Sequence, residues 1–283
     1  MSFDRGSGAT LCADVAGAWS ADLAVLLLHG GGQTRHSWGG TLHSLAKRGL
    51  LALALDARGH GASSWDDGGD YSMDAFADDI RRVCTELDRP VILVGASLGG
   101  LSSMLAAGER PKVDCAGLVL VDVTPWIDPA GSEQIMAFMR AKPEGFESIE
   151  EAADAVAAYI PHRPRPSSEA GLRNNLRRGR DGRFHWHWDP RFLAVDRVNE
   201  MAPERYARAL AAVEGPILLV RGRSSNIVTD QYVRKFRDTF PAAEYVDVPN
   251  AGHMVAGDQN DRFTEPVIEF IGRVRAERVA REE

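Results

Sequence analysis

The strongest constraint in this 283-residue chain is a set of short, continuous apolar runs bounded by Gly, Asp or Pro: LAVLLLH (23–29), LLALALD (50–56), PVILVG (90–95), GLVLVD (117–122), PILLVR (216–221) and EYVDV (244–248). Runs of that length fit strands buried on both faces. Between them lie TLHSLAKRG (41–49), MDAFADDIRRVCTELD (73–88), LGGLSSMLAAGER (98–110), TDQYVRKFRDTF (229–240) and TEPVIEFIGRVRAERV (264–279), each with apolar residues at spacings of three and four. Strands alternating with helices imply an α/β fold, a mostly parallel sheet with helices on both faces. At 44% hydrophobic and 26% charged, the chain can bury one large core.

The alternation lapses once. No strand is expected between Asp122 and Glu214; that interval holds the helical patterns GSEQIMAFMRAK (131–142) and SIEEAADAVAAYI (148–160), then a Pro- and Arg-rich stretch. A structureless loop of that length is foreign to a compact domain. The expected organisation is a core of residues 1–125 and 211–283, with residues 126–210 inserted as a mainly helical cap over the sheet. No internal repeat is evident.

Charge and cysteine usage narrow the partners. A net charge of -7 argues against nucleic acid, since phosphate contacts need a basic face. Cys12, Cys84 and Cys115 are odd in number and lack CxxC or zinc spacing, so they read as buried thiols in a reducing compartment. The amino terminus shows no basic segment followed by an apolar core, and LAVLLL is too short to span a bilayer. A cytoplasmic protein with no membrane partner is expected. A homodimer stays open.

Three motifs carry chemistry. VILVGASLGG places Gly95-Ala96-Ser97-Leu98-Gly99 at a strand-to-helix turn, the context of a nucleophile elbow that lifts a serine hydroxyl above the carboxyl edge of the sheet. His29-Gly30-Gly31-Gly32 ends another expected strand; its glycines let a backbone amide point inward, and the amide of Gly31, with that of Gly32 as the alternative, would form a two-donor oxyanion hole with the amide of Leu98. His29 and Gly32 would border the substrate. His253, in VPNAGHMVAGD just beyond the last strand, stands where a general base for Ser97 belongs.

Together the HGGG, DARGHGAS, GASLGG and AGHMVAGD segments resemble the α/β-hydrolase family, in its serine-nucleophile branch with a helical cap between the sixth and seventh strands. The resemblance spans nearly the whole chain. It implies that Asp56, Arg58 and His60 form a structural turn rather than catalytic groups. It also implies an acid after the seventh strand, where RGRSSNIVTD puts Asn226 instead.

The acid that fixes the histidine tautomer must then come from elsewhere, because its amide replacement costs about 10⁴-fold in turnover in the Ser-His-Asp template. Asp122, at the end of GLVLVD, lies on the same sheet edge, as in haloalkane dehalogenases. Asn226 is the alternative third member, orienting His253 through its amide oxygen. Asp230 falls inside the next helix. A chain whose acid has been lost altogether would be a ligand-binding receptor or pseudoenzyme. Ser97 argues against epoxide hydrolase and dehalogenase activity, which in this architecture use an aspartate at the elbow.

The expected function is thus hydrolysis of a carboxylic ester or lactone through an acyl-enzyme on Ser97, with no metal or organic cofactor and a small-molecule substrate. Carbon–carbon bond hydrolysis and cofactor-free perhydrolysis are the rival chemistries. Trp38, Trp126 and Phe138 are candidate substrate contacts, with Met136, Met139 and His36 beside them, although ordinary helix packing is the simpler account of the cap residues. His185 and His187 in HWHW would share a face of an extended segment, but lack a third metal ligand. The seven arginines of HRPRPSSEAGLRNNLRRGRDGR (162–183) read as a solvated cap surface.

Overall fold

Side-chain alternation along each buried run separates the core into two layers. In the computed structural model, which describes residues 1–159, 169–195, 202–254 and 260–282, Leu26, Leu53, Leu93 and Leu120 face one apolar cluster. Their neighbours Val25, Ala52, Ile92 and Val119 face another. Both faces of the strands are covered, so the runs are apolar throughout rather than alternating with polar residues.

The strands are β1 (Ser2–Gly6), β2 (Ala9–Ala16), β3 (Ala24–Leu28), β4 (Leu51–Leu55), β5 (Val91–Ala96), β6 (Cys115–Val121), β7 (Leu176–Arg178), β8 (Phe184–Trp186), β9 (Ile217–Gly222) and β10 (Glu244–Val248). Eight form one sheet in the order β1-β2-β4-β3-β5-β6-β9-β10. The pairs β1/β2 and β2/β4 are antiparallel and the rest are parallel. Chain order reverses at β3, which lies between β4 and β5, and that reversal opens a crevice at the carboxyl ends of the strands.

The helices are α1 (Gly39–Ala46), α2 (Met73–Leu87), α3 (Leu98–Gly108), α4 (Pro129–Arg140), α5 (Ile149–Tyr159), α6 (Glu169–Arg173), α7 (Pro203–Ala211), α8 (Asp230–Thr239) and α9 (Thr264–Glu282). Leu42 and Leu45 of α1 and Val267, Phe270 and Ile271 of α9 cover one face of the sheet. Phe76, Ile80 and Val83 of α2, Leu101 and Leu105 of α3, Tyr206 and Leu210 of α7 and Phe236 of α8 cover the other. Each such side chain contributes about 1.5–3 kcal/mol when fully buried.

Three features depart from the sequence-based expectation. The β1/β2 hairpin was not anticipated; its residues alternate only partly between buried and exposed, which leaves no continuous apolar run to detect. The interval between β6 and β9 holds α4, α5 and α6 but also the antiparallel pair β7/β8, where no strand was expected. Finally, α7 lies on the core: a Cβ on Gly108 of α3 would meet the Ala209 carbonyl oxygen at 1.9 Å. Arg205 is bonded to Glu109 at 2.8 Å and paired with Asp74 of α2. The helix that closes the inserted interval therefore belongs to the core's helical layer, and the boundary drawn at residue 210 runs through it.

Candidate active site

The register of the central strands brings the motif residues to one edge. Leu28 pairs with Gly95, Ala96 with Val121 and Val121 with Val220, so the residues after β3, β5, β6 and β9 emerge side by side. Ser97 follows β5 at φ 46°, ψ -113°. This left-handed backbone is uncommon for a residue with a Cβ and is held where the surroundings over-determine it. Glycine is required around it: a Cβ on Gly95 would lie 2.4 Å from the Gly99 carbonyl oxygen, and one on Gly99 would lie 2.6 Å from that of Leu28. Helix α3 starts at Leu98, so the Leu98 amide is among the first N–H groups of a helix, which have no intrahelical acceptor.

The carboxylate bound to the candidate base is that of Asp122. Its side chain is fully buried and its backbone also sits at positive φ, 52°. His253 Nδ1 donates to Asp122 Oδ2 at 2.7 Å. The Ser225 hydroxyl donates to the same oxygen at 2.7 Å, and the Gly222 amide donates to Oδ1 at 3.0 Å. Three donors replace the water lost on burial. Asn226 is corrected as a triad alternative: it is exposed, and its amide donates to Gln134 Oε1 of α4 at 2.9 Å. Its neighbour Ser225 turns inward instead, a residue that sequence reasoning missed because nothing in RSSN distinguishes one serine from the other. Asp230 pairs with Arg221 at 2.6 Å. Of the AGHMVAGD motif, residues 255–258 lie outside the described residues.

The HGGG loop sits against the elbow, since a Cβ on Gly30 would lie 3.4 Å from Ser97 Cβ. The Gly30 amide donates to Gln33 Oε1 at 3.0 Å and the Gly32 amide to His60 Nε2 at 3.3 Å. Gly31 is the glycine between them. Above it lie residues from the interval between β6 and β9: Cβ atoms on Gly31 and Gly32 would meet Phe192 at 3.5 Å and Met139 and Trp188 at 3.0 and 3.1 Å. Gly32 itself is at φ +77°.

Four expected substrate contacts are placed otherwise. Trp38 is fully buried in the core layer with Leu42, Leu45 and Phe263. His29 is buried with both ring nitrogens engaged: Nδ1 donates to the Gly30 carbonyl at 2.8 Å, and Nε2 accepts from the Ala57 amide at 3.0 Å. Burial pushes its pKa down and keeps it neutral. Trp126 lies against Phe240, at 6.2 Å between centroids, and under the Lys235 ammonium. Phe138 stacks on Tyr159 at 4.6 Å and lies 5.8 Å from Trp186 between ring centroids, all three from the interval between β6 and β9. Periodicity cannot distinguish an aromatic that lines a pocket from one that fills a core.

The DARGHGAS turn is held throughout. Asp56 accepts from the Arg35 and Ala62 amides at 2.7 and 2.8 Å, and Arg58 makes two 2.7 Å bonds to buried Asp79 of α2. In the HWHW segment the histidines diverge: His185 bonds Asp181 at 2.9 Å, whereas His187 is buried against the core loops. Trp186 and Trp188 stack at 5.0 Å. Cys84 is buried, with Cys12 and Cys115 partly so. Among the described residues, no helix is long and apolar enough to cross a membrane.

Residues 25–265 match the model of the alpha/beta hydrolase family. The chain is 36% identical over 245 residues to esterase Rv0045c of Mycobacterium tuberculosis, covering 83% of this chain and 78% of that protein. It is 31% identical over 257 residues to the mouse sn-1-specific diacylglycerol lipase ABHD11, covering 88% and 80%. Among solved structures, E-2-(acetamidomethylene)succinate hydrolase superposes with a TM-score of 0.80 at 26% identity, over 96% of this chain and 98% of that one.

Proposed function

This chain belongs to the α/β-hydrolase family, and from that premise we propose that it cleaves carboxylic esters through an acyl-enzyme on Ser97. The observation that carries this reading is the 2.7 Å hydrogen bond from His253 Nδ1 to buried Asp122, on the sheet edge that also presents Ser97. With Nδ1 donating to a carboxylate, the neutral imidazole has its lone pair on Nε2, the nitrogen left to take the Ser97 proton.

Ser97 Oγ adds to the ester carbonyl as His253 accepts its proton, and the negative charge collects on the former carbonyl oxygen. The amides of Leu98 and Gly31 stabilise that oxyanion, the first aided by the positive end of α3. Collapse expels the alcohol, which takes the proton from His253. Water then repeats the sequence on the acyl-enzyme, with His253 as base, and frees the acid. Met139, Trp188 and Phe192 over the Gly31–Gly32 peptide give the bound carbonyl an apolar neighbour, which favours an uncharged acyl or alcohol group there. The names of the relatives, an esterase and a lipase, agree with an oxygen ester. The receptor reading depended on a missing acid, and the bond from His253 to Asp122 argues against it.

The test is fluorophosphonate labelling mapped by mass spectrometry, alongside turnover of p-nitrophenyl acetate, butyrate and octanoate. Labelling at Ser97, with turnover abolished in Ser97→Ala, is expected. Wild-type protein that is neither labelled nor active would overturn the proposal.

A further inference from the structure

Three buried imidazoles touch one short loop. His29 and His60 have ring centroids 5.3 Å apart, and His60 and His187 5.6 Å apart. Each comes from a different part of the chain: the end of β3, the turn after β4, and the cap segment after β8. His29 Nδ1 donates to the Gly30 carbonyl, which also accepts from the Gln33 amide at 3.0 Å. A trans peptide is planar, so anchoring that oxygen fixes the opposite direction of the Gly31 N–H. His60 Nδ1 donates to the Arg58 carbonyl at 2.9 Å, and its Nε2 accepts from the Gly32 amide. His187 Nδ1 accepts from the Gly61 amide at 2.7 Å, and its Nε2 donates to the Gly32 carbonyl at 3.3 Å.

Amides only donate and carbonyls only accept, so all three rings are neutral and their tautomers are determined by their partners. The loop around Gly31 is thus gripped on both sides of the proposed oxyanion donor, and one grip comes from the cap. We propose that His187 is a positioning residue through which cap docking sets the aim of the Gly31 amide: its Nε2–H holds the Gly32 carbonyl, and its Nδ1 ties the same ring to the Gly61 turn. The inference rests on the esterase reading for its effect on rate, but not for its effect on the loop.

Two substitutions separate the two bonds. His187→Gln keeps a donor near the place of Nε2 and loses the acceptor for Gly61; His187→Asn keeps an acceptor near the place of Nδ1 and loses the donor for Gly32. Each variant deletes one of two cap contacts, so a role in cap docking alone would affect them equally. Tyr71→Phe is the docking control: it removes the 2.6 Å bond to Asp189 of the same cap segment and leaves Gly32 untouched.

The assay measures kcat and KM on p-nitrophenyl butyrate, with amide hydrogen exchange of Gly31 and Gly32 followed by NMR in protein labelled with 15N-glycine. His187→Asn is expected to lower kcat by about ten- to a hundred-fold, short of the 10²–10³ for deleting an oxyanion donor outright, with KM within about two-fold and faster Gly32 exchange. His187→Gln and Tyr71→Phe should stay within about three-fold of wild type in kcat. Equal losses in both His187 variants, a change confined to KM, or Gly32 exchange unchanged in His187→Asn would each overturn the inference. Inactive wild-type protein would count against the esterase reading, while the exchange data would still decide whether His187 holds the loop.

Discussion

Replacing Asp122 by Asn would put a donor where three donors already converge. The backbone N–H of Gly222 cannot turn away, so the new amide oxygen must face it, and the NH₂ group then points at Ser225 Oγ and His253 Nδ1. Ser225 has little capacity left to accept, because its oxygen already receives the Ile227 and Val228 amides at 3.1 Å each. His253 relieves the clash by moving its proton to Nε2, the tautomer that cannot take a proton from Ser97. The same tautomer error costs about 10⁴-fold in kcat in the Ser-His-Asp template, or about 5 kcal/mol of barrier. KM should barely move, since Asp122 is sealed from substrate. Steady-state hydrolysis of p-nitrophenyl butyrate would read this, with thermal melting to verify that the variant folds and Asn226→Asp as its companion. A folded Asp122→Asn enzyme within ten-fold of wild type, or a gain of activity in Asn226→Asp, would refute the assignment of Asp122.

Other outcomes follow from the same contacts. Ser225→Ala removes a charge-assisted donor and leaves two amides without their acceptor; it should lower stability by about 2–3 kcal/mol in urea unfolding, and a change below about 0.5 kcal/mol would contradict the buried network. Burial pushes the pKa of His187 down to about 4, with the hydrogen bond to the Gly32 carbonyl and the Asp56 carboxylate opposing it and the Arg177 guanidinium adding to it. The unfolded chain therefore takes up that proton first. Its contribution is whole above about pH 6.5 and fades as pH falls towards about 4, with about 2 kcal/mol gone by pH 5. His29 acts in the same direction, so urea midpoints at pH 7 and 5 should separate more in wild type than in the non-titrating His187→Gln, and equal separations would refute the claim. Gly99→Ala forces a Cβ against the Leu28 carbonyl at 2.6 Å and should cost about 1–3 kcal/mol with loss of Ser97 labelling. Gly39→Ala, with φ -56° and open space around its Cβ, is the neutral control.

The sheet was legible because its strands are buried on both faces, which writes them as unbroken apolar runs; the half-exposed β1/β2 hairpin left no such mark. Ser97 and His253 could be picked out because their backbones need small residues and fixed positions in chain order. Asp122 could be named only as one of two candidates, since an acid at a strand end looks the same whether or not a histidine reaches it. What favours Asp122 is the inward turn of Ser225 and the outward turn of Asn226, a matter of three-dimensional packing. Trp38 misled because proximity to HGGG in sequence does not say which side of the sheet a ring falls on. His187 was invisible as a loop anchor, because its partners, Gly32 and Gly61, lie more than a hundred residues away.

With the proposed acid on an interior strand, the turn after β9 keeps one part in the chemistry, the Ser225 hydroxyl on Asp122. Its Asn226 side chain and the Ile227 carbonyl are instead fastened to α4 and to the Asp128 amide ahead of it. Beyond Ser225, that turn and the helix it secures form an interchangeable module. A graft that carries both from a relative and keeps Ser225 could alter which molecules are admitted without disturbing the residues that move protons.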